Sequence, residues 1–486
     1  MDIFISSIGL TTAQGSAGSI SRGAALLAPE QWPWPVNGWA TSHSCRPALG
    51  IRSSLTGIAR WRALTQLALQ DCFSNESPSP QTPIFIGSCN GSAGDFDVDR
   101  WTDAFNSAAL LEGTAWAGQR LPVFSSSCNS GLHALYAARQ VLLSGRANEA
   151  VVLAVDILSR SNQENFEGLR VLSDSPMPWQ PTNAGFVLGE AAVALRLVRD
   201  AAGVAAPRLK GLVLANELTR AGGLQQVLKS LALHRPDFLL GQGTGPFAND
   251  ESELAAFQQF VAGDVPLATP LVNFGHTLGA SGLLAVALAA LILRTPQAIS
   301  TLEMPAANAC DGRPLKLQRN AKEIDDVVVS CRALNGSCAA ARVGTEPSHV
   351  QDGKQDQSEK AWYDSAPTGP LMNALLRRLA AEAPRHRPVE PPDVVLVRLQ
   401  EPLAPPPEAR IGERLLPSAV LEMTPGFVSQ LIARRWGFAG PALCTVGDSR
   451  EDAAWNLSAA VEDLGLIMAQ IDLSGTGDTG EIGWDH

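Results

Sequence analysis

The sequence contains no apolar run long enough to cross a bilayer. Its longest run, residues 283–293, has about half the length that a transmembrane helix needs. We therefore interpret this run as a buried helix and predict no membrane span. The first residues, 1–5, lack the basic start of a secretory signal and are typical of a first β-strand. These absences lead us to expect a cytoplasmic protein.

The sequence also lacks the cysteine spacing of metal sites and of disulfide frameworks. Its 8 cysteines are scattered, and no two of them form a Cys-x-x-Cys pair. Such spacing indicates neither a zinc site nor a set of disulfides, and free thiols fit a reducing compartment. We predict that the protein binds no metal and needs no cofactor.

Basic residues are in the minority. The chain has 37 Lys and Arg residues and 48 Asp and Glu residues, so its net charge is −11. A nucleic-acid-binding surface needs an excess of basic residues, and we therefore predict no nucleic-acid partner. Charged residues make up 17% of the chain and apolar residues 45%, which is typical of a globular protein with a large core. A chain of 486 residues is expected to form more than one compact unit.

A candidate nucleophile lies at Cys128. Residues 125–134 read Ser-Ser-Ser-Cys-Asn-Ser-Gly-Leu-His-Ala, and they connect a strand-like apolar run at 121–124 to a helical pattern at 132–143. This order predicts a thiol in the first turn of a helix, where backbone N–H groups and the helix dipole favour thiolate over thiol. Such a thiolate is suited to thioester chemistry. A buried, inert cysteine is the alternative interpretation.

Three further sequence blocks follow Cys128 in order. Residues 185–192 read Gly-Phe-Val-Leu-Gly-Glu-Ala-Ala, residues 242–246 read Gln-Gly-Thr-Gly-Pro, and residues 273–282 read Asn-Phe-Gly-His-Thr-Leu-Gly-Ala-Ser-Gly. With the Cys128 block, this set resembles the β-ketoacyl synthase family, the condensing enzymes of fatty-acid and polyketide synthesis. The resemblance covers roughly residues 1–345.

The resemblance implies a thiolase-like α/β fold, in which two similar halves stack in five layers. We assign residues 1–200 to the N-terminal half, which carries Cys128, and residues 201–345 to the C-terminal half. The alternation of strand-like and helix-like patterns favours a layered α/β fold independently of the resemblance. The resemblance also implies two kinds of partner: an acyl carrier protein, and a second ketosynthase-like subunit in a homodimer or heterodimer.

The last quarter of the chain follows a different pattern. Residues 346–370 are polar and aperiodic, so we interpret them as a linker. Residues 371–486 are predicted to form a C-terminal α/β extension, in which Gly440-Pro441 precedes strand, helix and strand patterns. This order resembles a shortened, degenerate copy of a condensing-enzyme N-terminal half, with Ser449 near the nucleophile position. An unrelated helix–loop–strand domain is the alternative, and a true copy would serve packing or partner recruitment.

The resemblance assigns the catalytic positions, and it implies that some of the family's catalytic residues are retained while its charged ones are replaced. The family's nucleophile falls on Cys128 and its second catalytic histidine on His276, but its first histidine falls on Gln242. An amide donates a hydrogen bond but carries no proton charge near pH 7, and losing one such imidazole donor typically costs about a hundredfold to a thousandfold in rate. The family's lysine and glutamate near the second histidine fall on Leu271 and Ala285.

Other positions are expected to contact the substrate. They are Thr244, Asn273, Phe274 and Arg332. Arg332 falls on the position of the family's Phe gate, where a guanidinium can pair with an acidic substrate group or with an acidic neighbour in the protein. An acidic carrier protein would need a local basic patch. The candidates for that patch are Arg46, Arg52, Arg60 and Arg62, although each fits an ordinary solvated arginine equally well.

The retained cysteine and the lost charged groups lead to three hypotheses. In the first, a modified condensing enzyme still elongates, with Gln242 in place of a histidine. In the second, a non-elongating acyltransferase loads Cys128 and passes the acyl group to a thiol, alcohol or amine. In the third, a non-catalytic subunit of the chain-length-factor type shapes the pocket of an active synthase, although such subunits usually lack the cysteine.

We predict an enzyme, a β-ketoacyl synthase-like acyltransferase of fatty-acid or polyketide type. It would form an acyl-thioester on Cys128 and transfer or condense the acyl chain that an acyl carrier protein delivers. Outside the family, Cys128 and His276 could form a Cys–His hydrolase.

Overall fold

The structure is a computed structural model in which strands and helices alternate. It describes residues 2–22, 43–74, 76–92, 104–199, 206–218, 222–231, 235–260, 265–302, 324–345, 371, 373–403, 410–411, 414–415, 424–447, 457–474 and 480–485. The predicted linker at 346–370 and the position of Ser449 lie outside the described residues.

The strands are β1 (Ile3–Thr11), β2 (Cys45–Arg46), β3 (Ile84–Gly87), β4 (Val123–Phe124), β5 (Glu149–Asp156), β6 (Leu188–Gly189), β7 (Ala191–Arg199), β8 (Arg208–Asn216), β9 (Phe238–Leu240), β10 (Leu267–Ala268), β11 (Asp326–Arg332), β12 (Ser337–Gly344), β13 (Val394–Leu399), β14 (Arg410–Ile411), β15 (Arg414–Leu415), β16 (Ala442–Val446), β17 (Met468–Ser474) and β18 (Glu481–Asp485).

The helices are α1 (Ala17–Ser21), α2 (Gly57–Phe73), α3 (Ser107–Leu110), α4 (Ser130–Leu143), α5 (Arg160–Gly168), α6 (Gly222–Ser230), α7 (Phe247–Phe260), α8 (Leu271–Phe274), α9 (Ser281–Arg294), α10 (Ala374–Glu382), α11 (Pro425–Trp436) and α12 (Leu457–Asp463). Short 3-10 segments lie at Leu278–Ala280, Pro296–Thr301 and Ala383–His386.

A continuous sheet of 14 strands runs through the molecule in the order β10-β9-β11-β12-β8-β1-β7-β5-β3-β4-β16-β13-β17-β18. The two halves of the synthase-like region meet where Phe4 of β1 pairs with Arg208 of β8. The central strand β5 is buried along almost its whole length, as a strand with helices on both faces and a near-continuous apolar sequence should be.

Five layers are recognisable, as predicted. Helices α4 and α9 pack on each other between the half-sheet of β3 and β5 and the half-sheet of β11 and β12. Helix α2 covers β1 and β7, and α6, which packs on α7, covers β8 and β12. The sequence of α9 is apolar all round, so the helix must be buried, and the buried helix predicted at 283–293 is confirmed. No helix among the described residues is both long and apolar enough to span a membrane.

The C-terminal extension has the predicted α/β character and continues the same sheet. Strand β13 lies parallel to β16 and β17, and β18 lies antiparallel to β17. Strand β16 pairs antiparallel with β4, where Val123 faces Val446 and Phe124 faces Thr445. The extension therefore lies beside the strand that leads to Cys128.

Candidate active site

A tight turn between β4 and α4 presents Cys128. Ser127 has a φ of 49°, a backbone conformation that few residues other than glycine adopt. Ser130 holds the turn, because its Oγ accepts from the Ser126 N–H at 2.9 Å and donates to the Ser127 carbonyl at 2.7 Å. Helix α4 begins at Ser130, so the thiol lies just before the helix and not within its first turn.

Burial controls the ionisation of this thiol. Cys128 is 4% exposed, and burial raises the pKa of its thiol to about 12, because a thiolate loses solvation in the interior. Hydrogen bonds from the backbone N–H groups of Leu334 and of Cys128 itself act in the opposite direction. The prediction that the helix start favours a resting thiolate is therefore wrong, since desolvation outweighs the helix and the thiol rests neutral.

His276 faces the thiol as a neutral hydrogen-bond donor. Its Nε2 lies 3.3 Å from Cys128 Sγ. The Leu278 N–H donates to Nδ1 at 3.1 Å, so Nδ1 is an acceptor and the ring proton lies on Nε2. Burial lowers the pKa of His276 to about 4, and the ring is uncharged near pH 7. His276 therefore directs a fixed N–H group at the sulfur.

Both side chains line a cleft with a volume of about 620 Å³, part of which is open solvent. Of the other predicted site residues, Gln242, Thr244 and Arg332 line the same cleft. Asn273 and Phe274 are buried in α8 instead and are not among the cleft-lining residues. The structure thus brings the three predicted catalytic residues together with two of the four predicted substrate contacts.

The amide of Gln242 already has partners on both sides. Its Nε2 donates to Cys331 Sγ at 2.9 Å, and its Oε1 accepts from the Arg332 N–H at 2.7 Å. Both partners belong to β11, so Gln242 connects its own loop to the end of that strand.

Sequence comparison agrees with this arrangement. The family profile "Beta-ketoacyl synthase, N-terminal domain" matches residues 120–202, which include Cys128. The profile "Beta-ketoacyl synthase, C-terminal domain" matches residues 214–304, which include Gln242 and His276. Both profiles of the β-ketoacyl synthase family thus match the part of the chain that carries the three candidate catalytic side chains. It is 28% identical over 231 residues to the tetracenomycin polyketide synthase ketoacyl synthase alpha subunit of Streptomyces glaucescens, a match of 40% of this chain and 54% of that protein. The chain spans about half the length of the curated relatives it matches.

Solved structures of ketosynthases share the fold. The complex described as "AntDE:AntF (apo): type II PKS acyl-carrier protein in complex with its ketosynthase bound to the hexaketide" matches with a TM-score of 0.57 and 16% identity, over 71% of this chain and 99% of that chain. The structure described as "PfaC Keto synthase-Chain length factor" matches with a TM-score of 0.67 and 12% identity, over 97% of this chain and 73% of that chain. The predicted thiolase-like fold is thereby confirmed.

Arg332, at the predicted gate position, forms an ion pair. Arg332 Nε and Nη2 donate to Glu217 Oε2 at 3.0 Å and 2.7 Å, and Nη1 donates to Asn249 Oδ1 at 3.2 Å. The Glu217 side chain is 8% exposed. Arg332 was expected to pair either with an acidic substrate group or with an acidic neighbour in the protein, and the structure shows the acidic neighbour. An anionic substrate group would have to compete with Glu217 for this guanidinium.

The lost family charges leave an apolar wall beside the synthase-type site. Leu271 and Ala285, which stand at the family's lysine and glutamate positions, line a second recess together with Leu284. This recess has a volume of about 370 Å³, part of which is open solvent, and is also lined by Gln242 and His276. It therefore offers apolar surface directly next to the two candidate catalytic side chains.

A carboxylate that the sequence analysis missed organises the loops of the synthase site. Asp156, at the end of β5, is fully buried, and burial raises its pKa to about 6. It accepts four hydrogen bonds, from Ser88 Oγ at 2.8 Å and from the N–H groups of Cys89 at 2.8 Å, Asn90 at 3.1 Å and Gly279 at 2.7 Å. It thus connects the loop after β3 to the His276 loop. In the sequence, this carboxylate could have been recognised as an acidic residue directly after a continuous apolar run that predicts a buried strand.

Two of the four arginines that were candidates for a basic patch, Arg46 and Arg60, are buried. Arg60 is buried and forms an ion pair with Glu190. Arg46 is 7% exposed, and burial lowers its pKa. Buried guanidinium groups cannot contact a partner protein, which leaves Arg52 and the partly buried Arg62 at the surface. Spacing along the chain could not distinguish the buried arginines from the exposed ones.

His133 in α4 is a second buried histidine near the candidate site, and the pH dependence of the protein's stability can test its burial. It is 1% exposed, and burial lowers its pKa to about 3. A histidine that stays neutral in the folded protein takes up a proton on unfolding once the pH falls below about 6.5, so it lowers the stability in acid. Between pH 7 and pH 5, the free energy of unfolding should fall by about 2 kcal/mol more in the wild type than in His133→Gln. Urea unfolding at both pH values measures this difference, and an equal fall in both proteins would mean that His133 titrates normally.

Proposed function

We propose that this protein is an acyltransferase of the β-ketoacyl synthase type, which takes an acyl group from an acyl carrier protein onto Cys128 and passes it on. One observation carries the proposal: neutral His276 directs its Nε2 at the sulfur from 3.3 Å, while the Leu334 N–H also donates to the sulfur. These donors stand where negative charge develops as the thiol attacks a thioester.

Acylation would exchange one thioester for another. The Cys128 sulfur forms a bond to the carbonyl carbon, the bond from that carbon to the carrier sulfur breaks, and the thiol proton leaves with the carrier thiol. Because Nδ1 of His276 accepts from the Leu278 N–H, His276 acts as a hydrogen-bond donor to the sulfur and not as its base. The backbone N–H groups at the sulfur are positioned to hold the carbonyl oxygen of the intermediate.

The second step decides between transfer and condensation. Condensation needs donors for the enolate oxygen that forms when a malonyl thioester loses carbon dioxide. His276 supplies one, but the amide of Gln242 is bonded to Cys331 and to the backbone of Arg332. This bonding favours transfer of the acyl group to a thiol, alcohol or amine, with condensation as the slower alternative reaction.

The proposed donor is an acyl carrier protein. The ketosynthase in the similar complex described above binds such a carrier, and we extend this partner to the present chain. The apolar recess beside His276, which Leu271, Leu284 and Ala285 line, suits the hydrocarbon part of an acyl group because burying apolar surface is favourable.

Intact-protein mass spectrometry tests the proposed function. The protein is incubated with a panel of acyl groups on carrier proteins, and any mass gain is mapped by proteolysis. We expect the gain on the peptide that contains Cys128 and none on the peptides with Cys89 or Cys331. Addition of malonyl carrier then separates condensation, which releases carbon dioxide, from transfer. Rapid release of free acid would indicate a hydrolase, and no gain with any donor would contradict the proposal in favour of a non-catalytic partner subunit.

Replacement of Gln242 tests the division between transfer and condensation. Gln242→His should raise the rate of malonyl-carrier decarboxylation by about a hundredfold, because it supplies a second imidazole donor to the enolate oxygen. Carbon dioxide release measures the rate, and Gln242→Asn, which keeps an amide, is the matched control. An unchanged rate in Gln242→His would show that the charges missing at Leu271 and Ala285 limit condensation instead.

A further inference from the structure

The C-terminal extension covers the strand that leads to the nucleophile. Strand β4 is the last strand of the N-terminal half-sheet, and β16 pairs with it in the antiparallel direction. Beyond β4, the Ser125 N–H donates to the Cys444 carbonyl at 2.9 Å. The backbone pairing between β4 and β16 thus continues almost to Cys128, and β16 covers the edge of β4.

The two sides of this contact have the same construction. Outward from it, the strand order is β4-β3-β5-β7 on one side and β16-β13-β17-β18 on the other. Strand β3 is parallel to β4 and β5, just as β13 is parallel to β16 and β17, and both β7 and β18 are antiparallel to their neighbours β5 and β17. The helices after β4 and β16, α4 and α12, pack on each other. Two like surfaces that meet in this way form the equivalent of an isologous subunit interface.

The similarity to solved structures differs in how much of this chain it covers. The ketosynthase that was solved with its carrier protein covers 71% of this chain, whereas the keto synthase–chain length factor structure covers 97%. A structure that includes a chain length factor therefore matches residues of this chain that a ketosynthase alone does not match.

We infer that residues 371–486 are a partner half-subunit built into the chain, which closes the β4 edge and holds the candidate active site in place from α11. We call residues 333–336, between β11 and β12, the gate turn. In this arrangement the chain supplies in cis what a second ketosynthase-like subunit would supply in trans, and such a subunit cannot pair with β4.

Helix α11 contacts the nucleophile turn through Gly426. A Cβ atom on Gly426 would lie 2.4 Å from Ser126 Cα and 2.7 Å from the Ser125 carbonyl oxygen, so only glycine permits this approach. The Gly426 carbonyl also accepts from Asn335 Nδ2 of the gate turn at 3.1 Å. One residue of the extension therefore touches both turns that frame Cys128.

Arg434 gives α11 a second contact with the gate turn. Its Nη2 donates to the Asn335 carbonyl at 3.0 Å. The next residue towards the cleft, Leu334, directs its N–H at the Cys128 sulfur. A movement of α11 would therefore reach the sulfur through a single backbone segment, which makes Arg434 and Gly426 positioning residues.

Thiol labelling tests this inference independently of acyl transfer. Iodoacetamide reacts with the thiolate, so the labelling rate of the Cys128 peptide reports how well the site stabilises that anion. Gly426→Ala forces α11 away from the nucleophile turn, and Arg434→Ala releases the gate turn. We expect either change to slow the labelling of Cys128 by about fivefold or more, because the Leu334 N–H moves away from the sulfur.

Matched controls lie in the same extension. A Cβ atom on Gly483 would meet nothing closer than 3.5 Å, and Arg398 pairs with Asp472 in the outer part of the sheet at 2.6 Å. Gly483→Ala and Arg398→Ala should therefore label at the wild-type rate, and Arg434→Lys should recover part of the rate that Arg434→Ala loses. Unchanged or faster labelling in the two test variants, or equal slowing in the controls, would overturn the inference. If Gly426→Ala does not fold, the Arg434 series decides alone.

Discussion

Cys128→Ala should abolish acyl-enzyme formation and leave the fold intact. The substitution removes the sulfur that we propose as the acyl acceptor and adds no atom, so the turn between β4 and α4 can keep its hydrogen bonds through Ser130. The lost packing of one buried sulfur costs stability on the scale of about 1 kcal/mol. Intact mass after incubation with acyl carrier proteins measures the loss of acylation, and circular dichroism confirms the fold.

The neighbouring thiols supply the control for this prediction. Cys331 is buried beside the site, where its Sγ accepts from Gln242 Nε2, and burial raises its pKa well above the usual value. Cys331→Ala should therefore keep the mass gain that Cys128→Ala loses. A gain that survives in Cys128→Ala and disappears in Cys331→Ala would move the nucleophile to β11 and remove the basis of the proposed mechanism.

The layered fold could be predicted because its elements have strong local patterns. The near-continuous apolar run of β5 and the all-apolar sequence of α9 indicate burial on more than one side, and both elements lie where the sequence placed them. The short strand β4 has only two residues, yet the apolar run at 121–124 predicted a strand directly before the Cys128 turn. Local pattern and motif spacing were sufficient for these elements.

The electrostatics of the site could not be predicted in the same way. The position of Cys128 before a helix suggested a lowered thiol pKa, but tertiary burial raises that pKa to about 12. The same non-local effect hides Arg60, whose guanidinium pairs with Glu190 far along the chain. Desolvation depends on which segments pack over a group, and that information is absent from the group's own neighbourhood in the sequence.

The pairing of the C-terminal extension with β4 is a further non-local feature. The sequence indicated strand and helix patterns after Gly440, but a strand edge can accept many partners, and its choice depends on the whole surface that is buried. The structure shows that β16 occupies this edge. The contacts of Gly426 and Arg434 with the turns beside Cys128 depend on this pairing. No motif that resembles the synthase family includes these two residues.

His276→Ala should slow the acylation of Cys128 by about a hundredfold to a thousandfold, the usual effect of removing one preorganised donor from a developing charge. The Nε2 group lies 3.3 Å from the sulfur, and an alanine side chain has no hydrogen-bond donor to replace it. The rate of mass gain with a carrier-bound acyl group, measured under single-turnover conditions, gives the effect. His133→Gln, which changes a buried histidine without a contact to the sulfur, should acylate at close to the wild-type rate.

The pH dependence distinguishes a donor from a base. Because burial lowers the pKa of His276 to about 4, the ring remains neutral throughout pH 5.5–8 and should cause no transition of the acylation rate near the ordinary histidine pKa of about 6.5. A transition that comes from Asp156, whose pKa burial raises to about 6, should persist in His276→Gln. His276→Gln retains an N–H donor but cannot accept a proton, so it should recover part of the rate that His276→Ala loses. A wild-type transition that disappears in His276→Gln, together with no recovery of the rate in that variant, would show that His276 exchanges a proton with Cys128 and that its Nε2 is not a fixed donor.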